Sequence, residues 1–271
     1  PSGFLALCTK SLPSVDVIPS ENFNTVLYTG NGADNHAITG VGFQPDFVWM
    51  KSRNAARSHA LVDSVRGRGS ILFSDGTNAQ QVPAAANNDL VSFNTDGFTV
   101  GTPERAGSTN TNNDTIVAWN WKVGGSAVSN SNGSVTSQVS ANVDAGISIA
   151  TFTLPTTATT IGHGLSKPPE LIFQKGRVSG SAWWTFHKDI GNTKAIRLDS
   201  SGAAGGANSN FWNNTDPTST VVTIGANSGG NNSWLMYSFH SVDGYSKVGS
   251  YTGNGNADGP FVFCGFRPAF V

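Results

Sequence analysis

Charged side chains are the scarcest feature of this sequence. They make up only 12% of the 271 residues, and 16 Lys and Arg nearly balance 17 Asp and Glu, so the formal net charge is -1. A near-neutral chain has no overall field that attracts a polyanion or an anionic membrane surface. We therefore expect neither nucleic acid nor membrane insertion among its interactions.

Cysteine and long apolar runs are also scarce. The two cysteines, Cys8 and Cys264, have no neighbouring Cys or His at the spacing of a structural zinc site. Buried thiols are the favoured interpretation, and a disulfide would require Cα atoms within about 7 Å. No apolar run reaches the roughly 20 residues of a membrane-spanning helix, and no signal peptide opens the chain. These absences predict a soluble protein, and its start at Pro1 and its apolar end at 261–271 suggest processing or excision.

Helical periodicity is missing as well. No stretch keeps apolar residues at helical spacing for more than a couple of turns. Instead, short runs of aromatic and β-branched residues, such as 47–50, 71–73 and 115–121, are bounded by Gly, Asn, Pro or Asp, which is typical of strands. Asn-Gly pairs at 31–32, 132–133 and 254–255 are typical of type I′ hairpin turns. The predicted fold class is all-β, with antiparallel sandwiches favoured and a barrel as the alternative.

An internal repeat indicates the domain organisation. Tyr-Thr-Gly-Asn-Gly occurs at 28–32 and at 251–255, and in each copy a Gly-Phe-x-Pro-x-Phe-Val motif begins 14 residues after the tyrosine. A degenerate third copy includes 149–153 and 162–165. The spacing of the copies implies units of about 110 residues, a size typical of a small β-domain.

The spacing of the repeats predicts five segments. Residues 1–23 end a preceding domain and linker, 24–122 form a first β-sandwich module, 123–146 form a Ser/Gly/Asn-rich connection or an extra surface hairpin, 147–248 form a second module, and 249–271 start a third. The two modules are expected to follow each other as beads on a string, with the Tyr28 and Phe152 strands equivalent. Because the aromatic residues of 249–271 have no module of their own, we expect this segment to complete a sheet here or in a neighbouring subunit.

Motifs of catalysis and cofactor binding are missing. The sequence contains no G-x-S-x-G, no H-E-x-x-H, no phosphate-binding loop and no dinucleotide fingerprint, and its five histidines are scattered. We therefore predict no enzymatic activity, no cofactor and no metal. Calcium binding in the loop 110–114 is an alternative to an ordinary Asx turn there. A hydrolase whose carboxylates meet only in the folded state is also compatible with the sequence.

Aromatic and amide side chains form one candidate glycan-binding group. Trp183-Trp184 precede His187, and a Phe-Trp-Asn-Asn run follows at 211–214. Sugars bind such sites by stacking on an aromatic face and by hydrogen bonds to amides. Neighbouring strand residues point to opposite faces, so at most one of the paired tryptophans faces solvent, and core packing is favoured for any single tryptophan. The candidate ligand-binding residues are Trp184, His187, Trp212, Asn213 and Asn214.

Basic residues form a second candidate group. Lys51, Arg53, Arg57, Arg66 and Arg68 follow a predicted strand. Arg53, Arg57 and Arg66 could hold phosphate or acidic sugar of a cell-surface polysaccharide by bidentate contacts. Local ion pairing with the aspartates at 46, 63 and 75 is the favoured alternative.

One set of segments carries a family resemblance: residues 28–32, 42–49 with Lys51-Ser52-Arg53, 63–67, 96–98 and 117–119. They look like a repeated, uncharacterised β-sandwich module of phage tail-fibre-like and other virion structural proteins. Residues 1–13 resemble the closing strand of a SPRY-type, lectin-like domain that precedes such modules. The second unit departs from the pattern, since it has extra residues at 164–168 and lacks the Val-Arg-Gly step.

The resemblance implies a non-enzymatic virion protein of a tail fibre or of another tail-associated part. It implies an extracellular location on the virion surface, assembly with other virion subunits as a homo-oligomer, and attachment to host cell-surface glycans. The competing class is a secreted glycan-active enzyme, such as a depolymerase, or a bacterial adhesin on the same scaffold.

Overall fold

Antiparallel sheet dominates the protein, and α-helix is confined to single turns. The computed structural model describes residues 17–226 and 232–271, within which the helices α1 (Gly107–Asn110) and α2 (Ser209–Trp212) have four residues each. The predicted all-β fold class is confirmed. No helix in the described ranges is long and apolar enough to cross a membrane. Cys8 and the SPRY-like segment 1–13 lie outside the described residues.

Two sheets form the first half of the chain. Their strands are β1 (Phe23–Thr29), β2 (His36–Ile38), β3 (Phe47–Ser52), β4 (Ala60–Asp63), β5 (Leu72–Phe73), β6 (Leu90–Asn94), β7 (Gly97–Val100) and β8 (Thr115–Trp121). A five-stranded sheet has the order β1-β8-β3-β4-β5, and a three-stranded sheet has the order β2-β7-β6. The predicted run 115–121 is thus the central strand β8, paired on both sides.

The second half repeats this arrangement with additions. Its described strands are β9 (Val128–Asn130), β10 (Ser137–Asn142), β11 (Ile147–Leu154), β12 (Thr159–Gly162), β13 (Leu171–Gly176), β14 (Trp184–His187), β15 (Ile196–Arg197), β16 (Val221–Ile224) and β17 (Asn232–Phe239). The large sheet has the order β15-β14-β13-β17-β11-β10-β9, and β12 pairs with β16. Strands β11-β17-β13-β14-β15 therefore follow the order of β1-β8-β3-β4-β5 in the first half.

Strand register extends the correspondence to single residues. Tyr28 pairs with Ile116 between β1 and β8, and Phe152 pairs with Trp234 between β11 and β17. Both central strands also pair with the next strand of the order, β3 or β13. The Tyr28 and Phe152 strands occupy the same place in their sheets, whereas the division into two tandem modules stays a prediction.

Alternating side chains on the central strands build four layers of sheet. On β3, Val48 and Met50 pack against Phe98 of the three-stranded sheet, while Phe47 points to the opposite side. On β17, Met236 packs against the small β12–β16 sheet, while its neighbours along the strand point inward. Because both large sheets are covered on two faces, their central strands carry nearly continuous apolar runs.

The two halves share a hydrophobic core, so the beads-on-a-string interpretation is wrong. Phe47 and Trp121 of the first half pack in one buried cluster with Trp183, Leu235 and Tyr237 of the second. The rings of Phe47 and Tyr237 stack with centroids 4.5 Å apart. Sequence spacing reveals each unit but not which faces of the units pack together. Here the equivalent face of each large sheet meets the other, and separation would expose a large aromatic surface.

A buried polar group also joins the halves. The Arg66 Nε donates to Asp63 Oδ2 at 2.6 Å, and both side chains are fully buried. Tyr237 from the second half donates its hydroxyl to the same carboxylate at 2.6 Å and accepts from Arg66 Nη2 at 3.1 Å. Burial disfavours the charged forms of Arg66 and Tyr237. At Arg66 the nearby Asp63 carboxylate outweighs this effect and raises the pKa of the guanidinium, whereas burial is the main cause of the raised pKa of Tyr237.

The segment 123–146 belongs to the second large sheet rather than being an open connection. Its strands β9 and β10 form a hairpin, and β10 pairs with β11. Asp46 holds the start of the segment, because one carboxylate oxygen accepts from the backbone N–H groups of Val123, Gly124 and Gly125 at 2.8 to 3.1 Å. Of the two alternatives for this segment, the surface hairpin is the one that the structure contains.

The Asn-Gly pairs do not form the predicted type I′ turns. Gly32 and Gly255 have positive φ, but Asn31 and Asn254 do not, and at 132–133 neither residue does. The Asn31 side chain instead accepts from the Ala33 N–H, and the Gly32 N–H donates to the Asn110 carbonyl. Gly133 is required for close approach, because a Cβ there would lie 2.2 Å from the Thr160 carbonyl oxygen.

Residues 249–271 contain no strand within this chain. One side chain, Phe270, packs against the aromatic rings of Phe23, Trp49, Trp119 and Trp121, with centroids 5.3 to 6.4 Å apart. The remaining large side chains of the segment are mostly exposed. The expectation that the segment completes a sheet is therefore not met inside the described chain, and pairing with another subunit stays a prediction.

Candidate functional site

A half-buried pair of aromatic rings forms the centre of the candidate site. Trp184 begins β14, and Phe211 lies in α2, whose first turn is capped by the Asn208 side chain accepting from the Asn210 N–H at 2.8 Å. The two rings lie 4.4 Å apart between centroids and are tilted by 42°. Both side chains are half-buried: they pack against the core of the second half and are also accessible from the surface.

Two openings flank the aromatic pair, and Trp184, Asn208 and Phe211 line both. We call them together the Trp184 cleft. Their volumes are about 290 and 250 Å³. The first is also lined by Gly176, Ser179, Gly180, Ser181, Asn210, Asn232 and Trp234, and the second by Ala195, Arg197, Ser200, Gly202, Ala203, Gly205 and Gly206. These volumes lie near the lower end for small-ligand sites, which suits about one or two sugar rings.

The lining offers neutral hydrogen-bonding groups around the rings. Amides, hydroxyls and the backbone of glycine-rich loops surround Trp184 on both sides. The indole N–H of Trp184 donates to none of the described residues, whereas those of Trp183 and Trp212 donate to the carbonyls of Phe73 and Lys194. An apolar face beside such groups is the arrangement that binds a sugar ring by stacking and orients its hydroxyls.

Charge is nearly missing from the cleft. Arg197 is the single charged residue among the lining residues just named, and its guanidinium is paired with Asp199. Glycoside hydrolysis needs two carboxyl groups about 5 to 9.5 Å apart across the sugar bond. No carboxylate belongs to either lining set. In the described ranges, no group of three or more His, Cys, Asp or Glu side chains is placed to hold a metal ion.

The structure separates the residues of the first candidate group. Trp184 lies in the cleft, but His187 is on the opposite face of β14, next to Asp189. Trp212 is 1% exposed and packs in the core of the second half, so it presents no ring face to a ligand. Asn213 and Asn214 follow α2 with positive φ, are exposed, and line neither opening.

Three residues in the cleft escaped sequence analysis. Phe211 belongs to the Phe-Trp-Asn-Asn run but is not among the predicted site residues, and Asn208 and Ser181 stand in Gly/Ser-rich sequence without a distinguishing pattern. Their positions depend on a loop and a single helical turn that fold back onto β14. No periodic pattern in the sequence predicts this arrangement. The capping pattern of Asn208 before α2 is the one local clue that the sequence offers.

The basic residues do not form a common anion site. Arg66 is buried against Asp63, and Arg57 pairs with Asp114, Nε to Oδ2, at 2.5 Å. Arg53 is exposed, and its backbone N–H donates to the Thr115 carbonyl. Ion pairing, the favoured alternative, thus accounts for Arg66 with Asp63, while Arg57 pairs with Asp114, which is not among the predicted partners.

The loop 110–114 is held by structural hydrogen bonds. The buried Asn110 amide donates to the Asn31 side chain and to the carbonyls of Ala33 and Gly101, at 2.9 to 3.0 Å. Its carbonyl oxygen accepts from the Asn31 N–H at 3.0 Å. Asp114 is paired with Arg57. The side chains of this loop are therefore engaged in hydrogen bonds and an ion pair and do not converge their oxygens as calcium ligands would.

A buried amine supports one wall of the cleft. The Nζ of Lys175, which is 0% exposed, donates to the carbonyls of Gly176 and Thr77 at 3.0 and 3.3 Å and to Ser181 Oγ at 3.4 Å. Burial lowers the pKa of Lys175 to about 8. Three acceptors around one amine fix the loop that carries Ser181, so Lys175 positions the lining rather than contacting a ligand.

A family model matches residues 18–271, which is almost the whole chain. The chain belongs to the family described as Domain of unknown function (DUF7483). The DUF7483 match covers both halves and the segment 249–271, so all of the sheets and the Trp184 cleft lie within it. No curated protein and no solved structure matches the chain.

Proposed function

We propose that this DUF7483 chain is a non-enzymatic structural and adhesion module of a phage virion, in a tail fibre or another tail-associated part. In this proposal it lies outside the cell on the virion surface and assembles with other virion subunits as a homo-oligomer. It contributes to attachment by binding host cell-surface glycans in the Trp184 cleft. The virion assignment rests on the resemblance of its sequence segments, and the glycan assignment rests on the cleft.

The observation that carries the glycan proposal is the Trp184–Phe211 pair. Its rings are 4.4 Å apart and half-buried, and neutral amides and hydroxyls surround them. A sugar ring can stack on the accessible side while its hydroxyl groups bond to the indole N–H and to the loop backbone. Such a small site binds weakly, and an oligomer would raise the apparent affinity through several sites engaged at once.

The near-neutral lining favours a neutral sugar over an acidic one. Arg197, the charged residue of the second opening, already pairs with Asp199, whose carboxylate also accepts from the Trp183 N–H. An acidic sugar would have to compete for that guanidinium and leave Asp199 partly unpaired. A glycan-active enzyme, the competing class, would need carboxylates beside the bound sugar, and the lining supplies none.

The direct test is a titration of the chain with neutral mono- and oligosaccharides, followed by tryptophan fluorescence and calorimetry. We expect millimolar to high micromolar binding of at least one neutral sugar and its loss, by roughly 10-fold or more, in Trp184→Ala. Trp184→Phe keeps an aromatic face and should retain part of the affinity. Tyr251→Ala removes an exposed aromatic ring elsewhere and should leave sugar binding unchanged. Unchanged sugar binding in Trp184→Ala would overturn the proposed site.

A further inference from the structure

The two openings of the Trp184 cleft differ in the chemistry of their walls. Besides the residues that both share, the first opening is lined by two serines, two asparagines, two glycines and Trp234. The second is lined by alanines and glycines, with Ser200 and Arg197 as its polar side chains. A sugar with many hydroxyl groups therefore finds more side-chain partners in the first opening, whereas the second combines small apolar surfaces with one guanidinium.

Backbone hydrogen bonds build the second opening from a glycine-rich loop. The Ala195 carbonyl accepts from the Gly205 N–H at 3.1 Å, and the Thr193 carbonyl accepts from the Asn208 N–H at 2.8 Å. These bonds hold residues 205–208 against the segment that leads into β15. Walls that are fixed in this way need little further ordering when a ligand binds, which favours affinity in a small site.

The Arg197 guanidinium has one arm engaged and one without a protein partner. Its Nη2 pairs with Asp199, whose side chain is 1% exposed, and its Nε lies 3.4 Å from the same carboxylate. Nη1 donates to none of the described residues, and the arginine side chain is partly exposed. Because Asp199 already balances the charge, the N–H groups of Nη1 suit a neutral oxygen acceptor rather than a second carboxylate.

Methyl groups lie beside this guanidinium in the same opening. Ala195 is 3% exposed and Ala203 is exposed, and both line the opening with Arg197. An acetamide group combines a neutral carbonyl oxygen, which can accept from a guanidinium, with a methyl group, which gains free energy by leaving water. The hydroxyl groups of an unsubstituted hexose can supply the acceptor but not the methyl.

We propose that the second opening of the Trp184 cleft binds the N-acetyl group of an amino sugar in the glycan. Arg197 Nη1 donates to the acetamide carbonyl, and the acetamide methyl contacts Ala195 and Ala203. The neighbouring sugar of the same chain lies in the first opening, against the Trp184–Phe211 pair that both openings share. This inference rests on the proposed glycan binding and names the class of sugar that the site selects.

Calorimetric titration of the full chain with N-acetylglucosamine, N-acetylgalactosamine and their parent hexoses, glucose and galactose, tests the proposal. At least one N-acetyl sugar should bind about 10-fold more tightly than its parent hexose, since it gains one guanidinium hydrogen bond and buries one methyl group. In saturation-transfer NMR, the acetyl methyl should receive the strongest saturation among the protons of that sugar.

Two substitutions in the second opening should remove this preference. Arg197→Lys keeps the positive charge beside Asp199 but loses the second guanidinium arm, and it should reduce the N-acetyl preference to less than about 3-fold without changing hexose affinity. Gly206→Phe adds a ring to the wall of the second opening, where a Cβ meets nothing within 4 Å, and should have the same effect.

Gly180→Phe, in the first opening, is the matched control. A Cβ there lies 3.5 Å from the Thr77 carbonyl oxygen, an ordinary contact, and the N-acetyl monosaccharide should still bind. Unchanged melting temperatures show that the three variants remain folded.

Equal binding of the N-acetyl sugars and their parent hexoses would overturn the proposal, and so would a preference that survives Arg197→Lys or Gly206→Phe. Either result leaves the proposed glycan binding in place, because Trp184→Ala tests that function separately. Binding of no sugar at all would instead overturn the proposed glycan binding and this inference with it.

Discussion

Replacing Arg66 by Met should destabilise the whole protein, because this side chain holds the two halves together from within their shared core. The substitution keeps an unbranched apolar stem, shorter than that of arginine, and removes the charge and its donors. Asp63 would keep the Tyr237 hydroxyl at 2.6 Å and the Arg66 backbone N–H at 2.8 Å, but it would lose its countercharge. The Leu61 carbonyl would lose the donor that now lies 3.0 Å away.

The expected cost follows from burial. Both side chains of the pair are 0% exposed, so no solvent replaces the lost partner. Leaving one member of a buried pair uncompensated typically costs about 3–5 kcal/mol. For a chain of this size that corresponds to a fall in melting temperature of roughly 10 °C. It is also a large share of the roughly 5–15 kcal/mol by which folded domains are stable.

Urea denaturation followed by circular dichroism and by tryptophan fluorescence measures the effect. Because the buried group of Asp63, Arg66 and Tyr237 joins both halves, the wild-type protein should unfold in one transition seen equally by both probes. Arg53→Met, at an exposed arginine, is the control and should change the free energy of unfolding by less than about 0.5 kcal/mol. Combining Asp63→Asn with Arg66→Met should recover part of the lost free energy of unfolding, since the added substitution removes the unpaired carboxylate charge. A loss below about 1 kcal/mol in Arg66→Met, or two separate transitions in the wild type, would refute this reasoning.

Three further outcomes are expected. Burial lowers the pKa of His163 to about 4, so the unfolded state binds a proton more tightly than the folded state does. This group's contribution to the free energy of unfolding should be fully present above pH 6.5 and should fall by about 3 kcal/mol as the pH drops to 4. His163→Gln should flatten that part of the pH profile measured by urea unfolding. Gly101→Ala places a Cβ 1.6 Å from the Asn87 carbonyl oxygen and should cost about 2–4 kcal/mol, whereas Gly249→Ala, with open space around it, should be neutral in the same assay. Adding EDTA should leave the melting temperature unchanged, and a fall of several degrees would contradict the predicted lack of a metal.

Local patterns in the sequence predicted the strands well, since short β-branched and aromatic runs have few other ways to pack. The run 115–121 is the strand β8, and 47–50 lies within β3. The repeat spacing also predicted that Tyr28 and Phe152 occupy equivalent strands. These successes come from interactions between residues close in sequence or from similarity between copies.

Contacts between distant segments account for what the sequence did not predict. Arg66 meets Tyr237, and Phe47 stacks on the same ring, across more than half of the chain length. Spacing within a unit carries no information on which faces of two units pack together. The same limit applies to the candidate site, where Trp212 belongs to the core and Phe211 beside it forms the cleft, because a four-residue helix turns the two side chains in different directions.

The packing of the halves also decides how the cleft is built. Just before β14, Trp183 points into the shared core and donates its indole N–H to the Phe73 carbonyl of the first half at 2.7 Å. Its neighbour Trp184 therefore lies on the opposite face, where it packs against the second half's own core and lines the cleft. The loop that lines the cleft is tied to the first half as well, because the Ser181 N–H donates to the Thr77 carbonyl at 2.9 Å and Lys175 donates to the same oxygen. The first half therefore positions the walls of a cleft that it does not line. Damage to the shared core should consequently weaken the sugar binding proposed for the Trp184 cleft, even when every residue that lines the cleft is intact.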